Sequence, residues 1–156
     1  MANLMILSKV KATAHYADCV APAGVTNGNF VALGAQNADK TYACAAPAAT
    51  TSKGVNIVCD IPISYEVEKL ENDFTIATGA IIRTRTPEIG DVECYPVANF
   101  TATVAAAKGK FIIIDADALK GEIVSSIAGT ESLVYIIDEV FTKAGVSMLK
   151  MRCINV

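Results

Sequence analysis

The sequence predicts a mainly β protein, a compact β-barrel or sandwich with one or two short helices and a candidate N-terminal arm. Turn signals recur at intervals of about 8–12 residues, a spacing typical of all-β domains. The apolar residues gather in short Val- and Ile-rich runs. Near the C-terminus, Leu149, Met151 and Cys153 alternate with Lys150 and Arg152, as in a strand with one face on a core.

The length of 156 residues fits a single domain. We assign residues 16–156 to one β-rich domain and residues 1–15 to an N-terminal arm or a first strand. Apolar residues make up 53% of the chain and charged residues only 19%. With so few charges to cover the surface, we expect some apolar area to face a partner subunit.

The N-terminal segment opens with an apolar cluster, Leu4, Met5, Ile6 and Leu7. No turn signal follows that would fold it back, so a docking arm and a first core strand both remain open. The next stretch, TAHYADCVAPAG, suits either a short helix or a loop, which Pro22 and Gly24 would end.

Strand candidates follow in chain order. The turn pair Asn27-Gly28 precedes a short strand that Gly34 closes. Residues 66–75 carry apolar side chains at helical spacing and predict one or two helical turns. The predicted strands of this half are residues 30–33, 41–44, 55–59 and an edge piece at 61–63.

A sharp corner is predicted between residues 86 and 91. Before it, Arg83 and Arg85 share one face of a strand. The two arginines could be unpaired on the surface, or they could form ion pairs with carboxylates across an interface. Pro87 lacks an N–H and should end the ladder, whereas Gly90 can adopt a positive φ. A second strand, residues 92–97, resumes after Asp91.

The last third predicts further strands. Residues 111–114 form a continuous apolar run that suits a strand covered on both faces, and residues 122–127 could hold a short strand. The C-terminal part predicts a long hairpin with its tip at residues 142–145, where Gly145 supplies the left-handed conformation.

The reactive side chains do not form a pattern typical of an enzyme, so the sequence predicts a non-enzymatic protein. His15 is the single histidine, and with Cys19 four positions later it would give two metal ligands without a third. Asp115 and Asp117 are more typical of solvated strand ends than of an acid–base pair. We therefore expect no catalytic residue, no metal and no cofactor.

Charge and hydropathy argue against two classes of partner. The net charge is −3 and the basic residues occur only in separated pairs, whereas nucleic-acid binding needs a clustered basic face. No apolar run approaches the ~20 residues that cross a bilayer. The five scattered cysteines without a CxxC motif suit free thiols in a reducing cytosol.

The order of these pieces resembles a known family. The pieces NGNFVALG, KTYACAAP, GAIIRTRTPEIGDVECYP and KGKFIIIDA occur in that order, and the chain closes on MRCINV. This is similar to the head decoration, or capsid cement, proteins of tailed bacteriophages. Two patterns carry the resemblance: N-G-x-F-V-x-L-G, from Asn27 to Gly34, and a corner from Arg83 to Gly90 and Asp91.

The resemblance implies a compact, non-enzymatic β protein of the virion. It would be made in the host cytoplasm, bind the major capsid protein on the capsid exterior and form, at most, a small homo-oligomer. The candidate partner contacts are Leu4, Met5, Ile6, Leu7, Arg83 and Arg85. Alternatives are a phage tail-tube or head-completion protein and, from another class, a small β-barrel ligand-binding module or enzyme.

Overall fold

A computed structural model describes residues 5–9, 15–60 and 75–156. The described residues form two β-sheets and a short 3-10 helix, Val97–Asn99. The strands are β1 (Ile6–Lys9), β2 (Tyr16–Val20), β3 (Phe30–Gln36), β4 (Tyr42–Ala45), β5 (Val55–Val58), β6 (Ile81–Arg85), β7 (Val92–Pro96), β8 (Thr101–Ala102), β9 (Phe111–Ile113), β10 (Glu122–Val124), β11 (Val134–Lys143) and β12 (Val146–Asn155). The predicted β-barrel class is therefore confirmed.

Five strands close into a barrel in the order β2-β4-β3-β5-β6. The junction between β2 and β4 is parallel, whereas the other junctions of this barrel are antiparallel. Small and medium apolar side chains fill the interior, as expected for so few strands. These buried residues are Cys19, Ala21, Val25, Val31, Val58 and Ile82.

The other seven strands form a sheet in the order β1-β7-β12-β11-β9-β10-β8. Its centre is the predicted hairpin of β11 and β12, whose tip has positive φ at Ala144 (50°) and Gly145 (78°). The predicted alternation in β12 is also confirmed, because Leu149, Met151 and Cys153 are buried.

The main core lies between the barrel wall and this sheet. The barrel contributes Phe30, Val55 and Ile57, which point outward from β3 and β5 into the cluster. Phe30 stacks on Tyr135 of β11, with ring centroids 6.0 Å apart and an interplanar angle of 12°. Gly121 allows this approach, since a Cβ there would lie 2.5 Å from Phe30 Cε2.

Two segments differ from the sequence-based expectation. Residues 16–20, ambiguous between helix and loop, form β2, because their backbone pairs with β6 over five positions. Strand β3 continues through Gly34, which packs closely against Ala43 of β4 without a side chain to obstruct it. The predicted edge piece at 61–63 and nearly all of the helical turns at 66–75 lie outside the described residues.

The N-terminal strand β1 pairs with β7 of its own chain at one edge of the sheet. Met5 packs against the main core. Ile6 packs against a smaller cluster that contains Cys94 and Met148. The backbone of Leu7 pairs with that of Glu93, and Leu4 lies outside the described residues.

The corner at residues 86–91 carries the chain from the barrel to the sheet. Gly90 has φ +95°, and its N–H donates to the carbonyl of Cys153 at 2.9 Å. The carbonyl of Asp91 accepts from the N–H of Cys153, also at 2.9 Å, and the Asp91 carboxylate accepts from the N–H of Glu88 at 2.8 Å. The turn is therefore fixed both internally and against β12.

Replacing Gly90 with valine should lower the free energy of unfolding by about 1–3 kcal/mol, because a β-branched residue is strained at positive φ. Urea unfolding of the purified variant measures this loss. Ile89→Val is the matched control in the same turn. Ile89 is 60% exposed, so this change should stay within about 0.5 kcal/mol. Equal stability of the two variants would contradict the role assigned to Gly90.

Candidate functional site on the barrel wall

The outer face of β6 carries three side chains in a row, Ile81, Arg83 and Arg85. Their exposure falls from 60% at Ile81 to 0% at Arg85, with the Arg83 side chain at 50%. The seven-stranded sheet covers Arg85, because Glu93 of β7 contacts the guanidinium and Tyr135 of β11 donates to Glu93. One strand therefore presents one buried and one exposed arginine.

Arg85 is the centre of a buried ion cluster. Its Nη1 contacts the carboxylate of Asp91 and its Nη2 contacts that of Glu93. Two phenols complete the shell of Glu93: Tyr95 donates to Oε2 at 2.6 Å, and Tyr135 donates to Oε1 at 3.1 Å. These residues come from β6, β7, β11 and the corner, so the cluster joins the barrel to the sheet.

Burial and charge act in opposite directions on this cluster. Desolvation alone would lower the pKa of Arg85, but the neighbouring Glu93 carboxylate raises it above its usual value. Burial, followed by the charge of Glu93, raises the pKa values of Tyr95 and Tyr135 well above that of a free phenol. The guanidinium is therefore held charged and the two phenols are held protonated.

A separate chain of hydrogen bonds involves Thr84 and Thr86, the sequence neighbours of Arg85. Asn56 Nδ2 donates to Thr84 Oγ1 at 3.1 Å, and Thr84 Oγ1 donates to the carbonyl of Ala17 at 2.9 Å. Thr86 Oγ1 donates to Asn56 Oδ1 at 3.3 Å. Strands β2, β5 and β6 are thereby tied together beneath their exposed surface.

The exposed side chains on this face of β2 and β6 form what we call the barrel-wall patch, made of Tyr16, Asp18, Ile81 and Arg83. Asp18 and Arg83 are directly opposite in the β2–β6 pairing, and Arg83 Nε lies 3.6 Å from Asp18 Oδ1. The Arg83 guanidinium carbon lies 5.8 Å from the ring centroid of Tyr16, a cation–π distance. Tyr16 is 51% exposed.

This arrangement suits binding to a protein surface. Tyrosine and arginine are enriched among residues that dominate interface energies. The ion pair with Asp18 and the cation–π contact with Tyr16 favour one orientation of the Arg83 side chain, and a favoured orientation lowers the entropy lost on binding. The patch offers no nucleophile with a base. In the described part of the chain, no group of three His, Cys, Asp or Glu side chains could hold a metal.

The sequence-predicted contact residues divide into separate environments. Arg83 belongs to the barrel-wall patch, whereas Arg85 is enclosed in the ion cluster and does not reach the surface. The segment from Met5 to Leu7 lies at the sheet edge described above. Sequence reasoning did not select Tyr16, although its alternation with Asp18 is the signal that would have placed both on one strand face.

No protein-family model, curated protein or solved structure matches this chain. Among the described residues, no helix is long and apolar enough to cross a membrane.

Replacing Arg85 with methionine should lower the free energy of unfolding by about 3–5 kcal/mol, because two buried carboxylates lose their cation. Arg83→Met is the matched control on the same face of the same strand. Its ion pair is exposed, so this change should cost about 1 kcal/mol or less. Chemical unfolding of both variants measures the difference, and equal losses would contradict the structural role of Arg85.

Alkaline pH should destabilise the fold. Burial raises the pKa of Cys59 and of Cys153 from 9.0 to about 12, and it raises those of Tyr95 and Tyr135 above 10.0. Above about pH 9 the unfolded chain loses protons that the folded chain keeps, so the free energy of unfolding falls as pH rises.

Urea unfolding between pH 7 and 11 measures this dependence. The free energy of unfolding falls by about 1.4 kcal/mol per pH unit for each group that is deprotonated in the unfolded chain but still protonated in the folded one. Tyr135→Phe removes one such group, so its stability should fall less steeply above pH 10 than that of the wild type. Parallel curves for the two proteins would refute the contribution of Tyr135.

Proposed function

We propose that the chain is a structural virion protein that binds the outside of a tailed-bacteriophage capsid. In this role it stabilises the shell by bridging subunits of the major capsid protein. It acts by protein–protein contact and performs no chemistry. It is made in the host cytoplasm and becomes part of the capsid exterior on assembly.

The observation that carries the proposal is the barrel-wall patch. Tyr16 and Ile81 expose apolar area on two paired strands, with Arg83 held between Asp18 and the tyrosine ring. A partner that covers these side chains gains buried apolar surface and hydrogen bonds to the guanidinium. The ion cluster holds β6 in place, and five residue pairs hold β2 to β6, so little conformational entropy is lost on contact.

Two further features support a capsid as the partner. The turn patterns around Asn27-Gly28 and Gly90-Asp91 resemble those of head decoration proteins, and both glycines have positive φ, 86° and 95°. The seven-stranded sheet ends in β1 on one side and the two-residue β8 on the other. A terminal strand can accept a strand from a neighbour, and repetition over a shell multiplies weak contacts.

The barrel interior supports this role over that of a ligand-binding barrel. Side chains such as Val31, Val58 and Ile82 occupy the space inside the five strands. A ligand site there would require some of these buried side chains to move. An assembly role uses the outside of the same barrel instead.

Replacing Ile81 with aspartate should weaken binding to capsids by about 30-fold or more, because a charge would replace the exposed apolar side chain at one end of the barrel-wall patch. Ile89→Asp is the matched control, since both isoleucines are 60% exposed and Ile89 lies outside the barrel-wall patch. Capsids of the encoding virus, assembled without this protein, are mixed with each variant. Co-sedimentation then gives the bound fraction as a function of concentration.

Thermal unfolding establishes that both variants are folded. Saturable binding of the wild type and of Ile89→Asp, with loss in Ile81→Asp, is the expected result. Equal binding of the two variants would remove the barrel-wall patch from the interface. Absence of wild-type binding to the capsid, with rings or filaments formed by the protein alone, would refute the decoration role in favour of a tail-tube protein.

A further inference from the structure

The five cysteines are free thiols and differ in their access to solvent. Cys19, Cys59, Cys94 and Cys153 are buried, with exposures of 0–4%. Cys44, on β4, is half-buried. It lines a surface groove together with Pro22, Ala46 and Leu119, among others. A dissolved reagent therefore reaches Cys44 more readily than any other thiol of the chain.

A second thiol, that of Cys19, lies on the neighbouring strand β2. In the parallel pairing of β2 with β4, Cys19 is opposite Tyr42 and Val20 is opposite Ala43. Cys44 is therefore a diagonal neighbour of Cys19 on the same side of the two strands. Both side chains belong to the apolar cluster inside the barrel. Cys44 Sγ donates to the carbonyl of Val20 at 3.1 Å.

The two thiols also differ in acidity. A hydrogen bond from the Cys19 thiol lowers the pKa of Cys44. That same contact, together with burial, raises the pKa of Cys19. Cys44 is therefore the thiol that more readily becomes a thiolate, the form that attacks disulfides. Cys19 is held as a neutral thiol in the position of a resolving partner.

The two cysteines lie on the two strands whose pairing closes the barrel. The β2–β4 junction closes the barrel, and it is parallel with only two residue pairs, whereas β2 pairs with β6 over five. Few hydrogen bonds therefore resist a small movement of β4 against β2. Such a movement, with rotation of Cys44 Sγ away from the carbonyl of Val20, would bring the two sulfur atoms together.

We propose that Cys19 and Cys44 form a dithiol modification site, which a soluble disulfide such as oxidised glutathione converts into an internal disulfide across the barrel-closing junction. The Cys44 thiolate attacks one sulfur of the reagent, and the first glutathione leaves as a thiolate. Cys19 then loses its proton and attacks Cys44 Sγ in the mixed disulfide, which releases the second glutathione. The two protein thiols lose two electrons and two protons, and the reagent becomes two molecules of thiol. This site is independent of the proposed capsid role.

The test treats the folded, full-length protein with oxidised glutathione at neutral pH and maps its thiols by mass spectrometry without reduction. Trypsin can cut after Lys11, Lys40 and Lys53, so the two cysteines fall in separate peptides, residues 12–40 and 41–53. The expected product is a covalent link between these two peptides. Because the link closes a loop of about 25 residues, the oxidised protein should melt about 5 °C or more above the reduced one.

Three variants separate the steps. Cys19→Ala should stop at a stable glutathione adduct on Cys44, and Cys44→Ala should form neither the adduct nor the link. Cys94→Ala, at a buried cysteine of β7, is the control and should link as the wild type does. Circular dichroism verifies that each variant is folded. Persistence of the glutathione adduct in the wild type, a link between other cysteines, or no reaction at Cys44 would each overturn the proposal.

Discussion

The ion cluster of Arg85, Asp91 and Glu93 is the constraint on which the arrangement of the two sheets depends. An apolar contact between a barrel wall and a sheet is not directional, and either surface could slide against the other. A buried guanidinium between two carboxylates permits only one register, because any displacement would leave a charge without its partner. The phenols of Tyr95 and Tyr135 extend this requirement into β7 and β11. We infer that the cluster contributes orientation more than net stability.

The corner at residues 86–91 returns the chain to Arg85, so the three charged residues of the cluster lie within nine positions of one another in the sequence. Asp91 ends the turn, and its carboxylate accepts hydrogen bonds from the N–H of Glu88 and from the guanidinium of Arg85. Because β6 is fixed at its Arg85 end, the outer face of the same strand is fixed at Arg83, two positions earlier. The barrel-wall patch is thus supported by a buried interaction between the barrel and the sheet.

The parts of the fold that follow from local chemistry were predictable from the sequence. Glycines at 90 and 145 marked turns with positive φ, and the alternation in β12 gave its buried face. The sequence could not predict that Arg83 is exposed and Arg85 is buried, since the two arginines lie on the same face of one strand. Only the sheet that covers one end of β6 distinguishes them, and that contact joins segments far apart in the chain. Strand β2 was ambiguous for the same reason, because its partners β4 and β6 follow much later.

The two faces of β2 connect the surface to the barrel interior. Tyr16 and Asp18 point outward into the barrel-wall patch, and Cys19 points inward towards Cys44. On one side β2 is held by five residue pairs with β6, which is itself anchored by Arg85. On the other side it is held by two pairs with β4. A covalent bond at Cys19 would act on this weaker side, so it would restrain the opening of the barrel without altering any side chain that the patch presents. Stability of the barrel and the recognition that we propose for its outer wall would therefore be separable properties of a single strand.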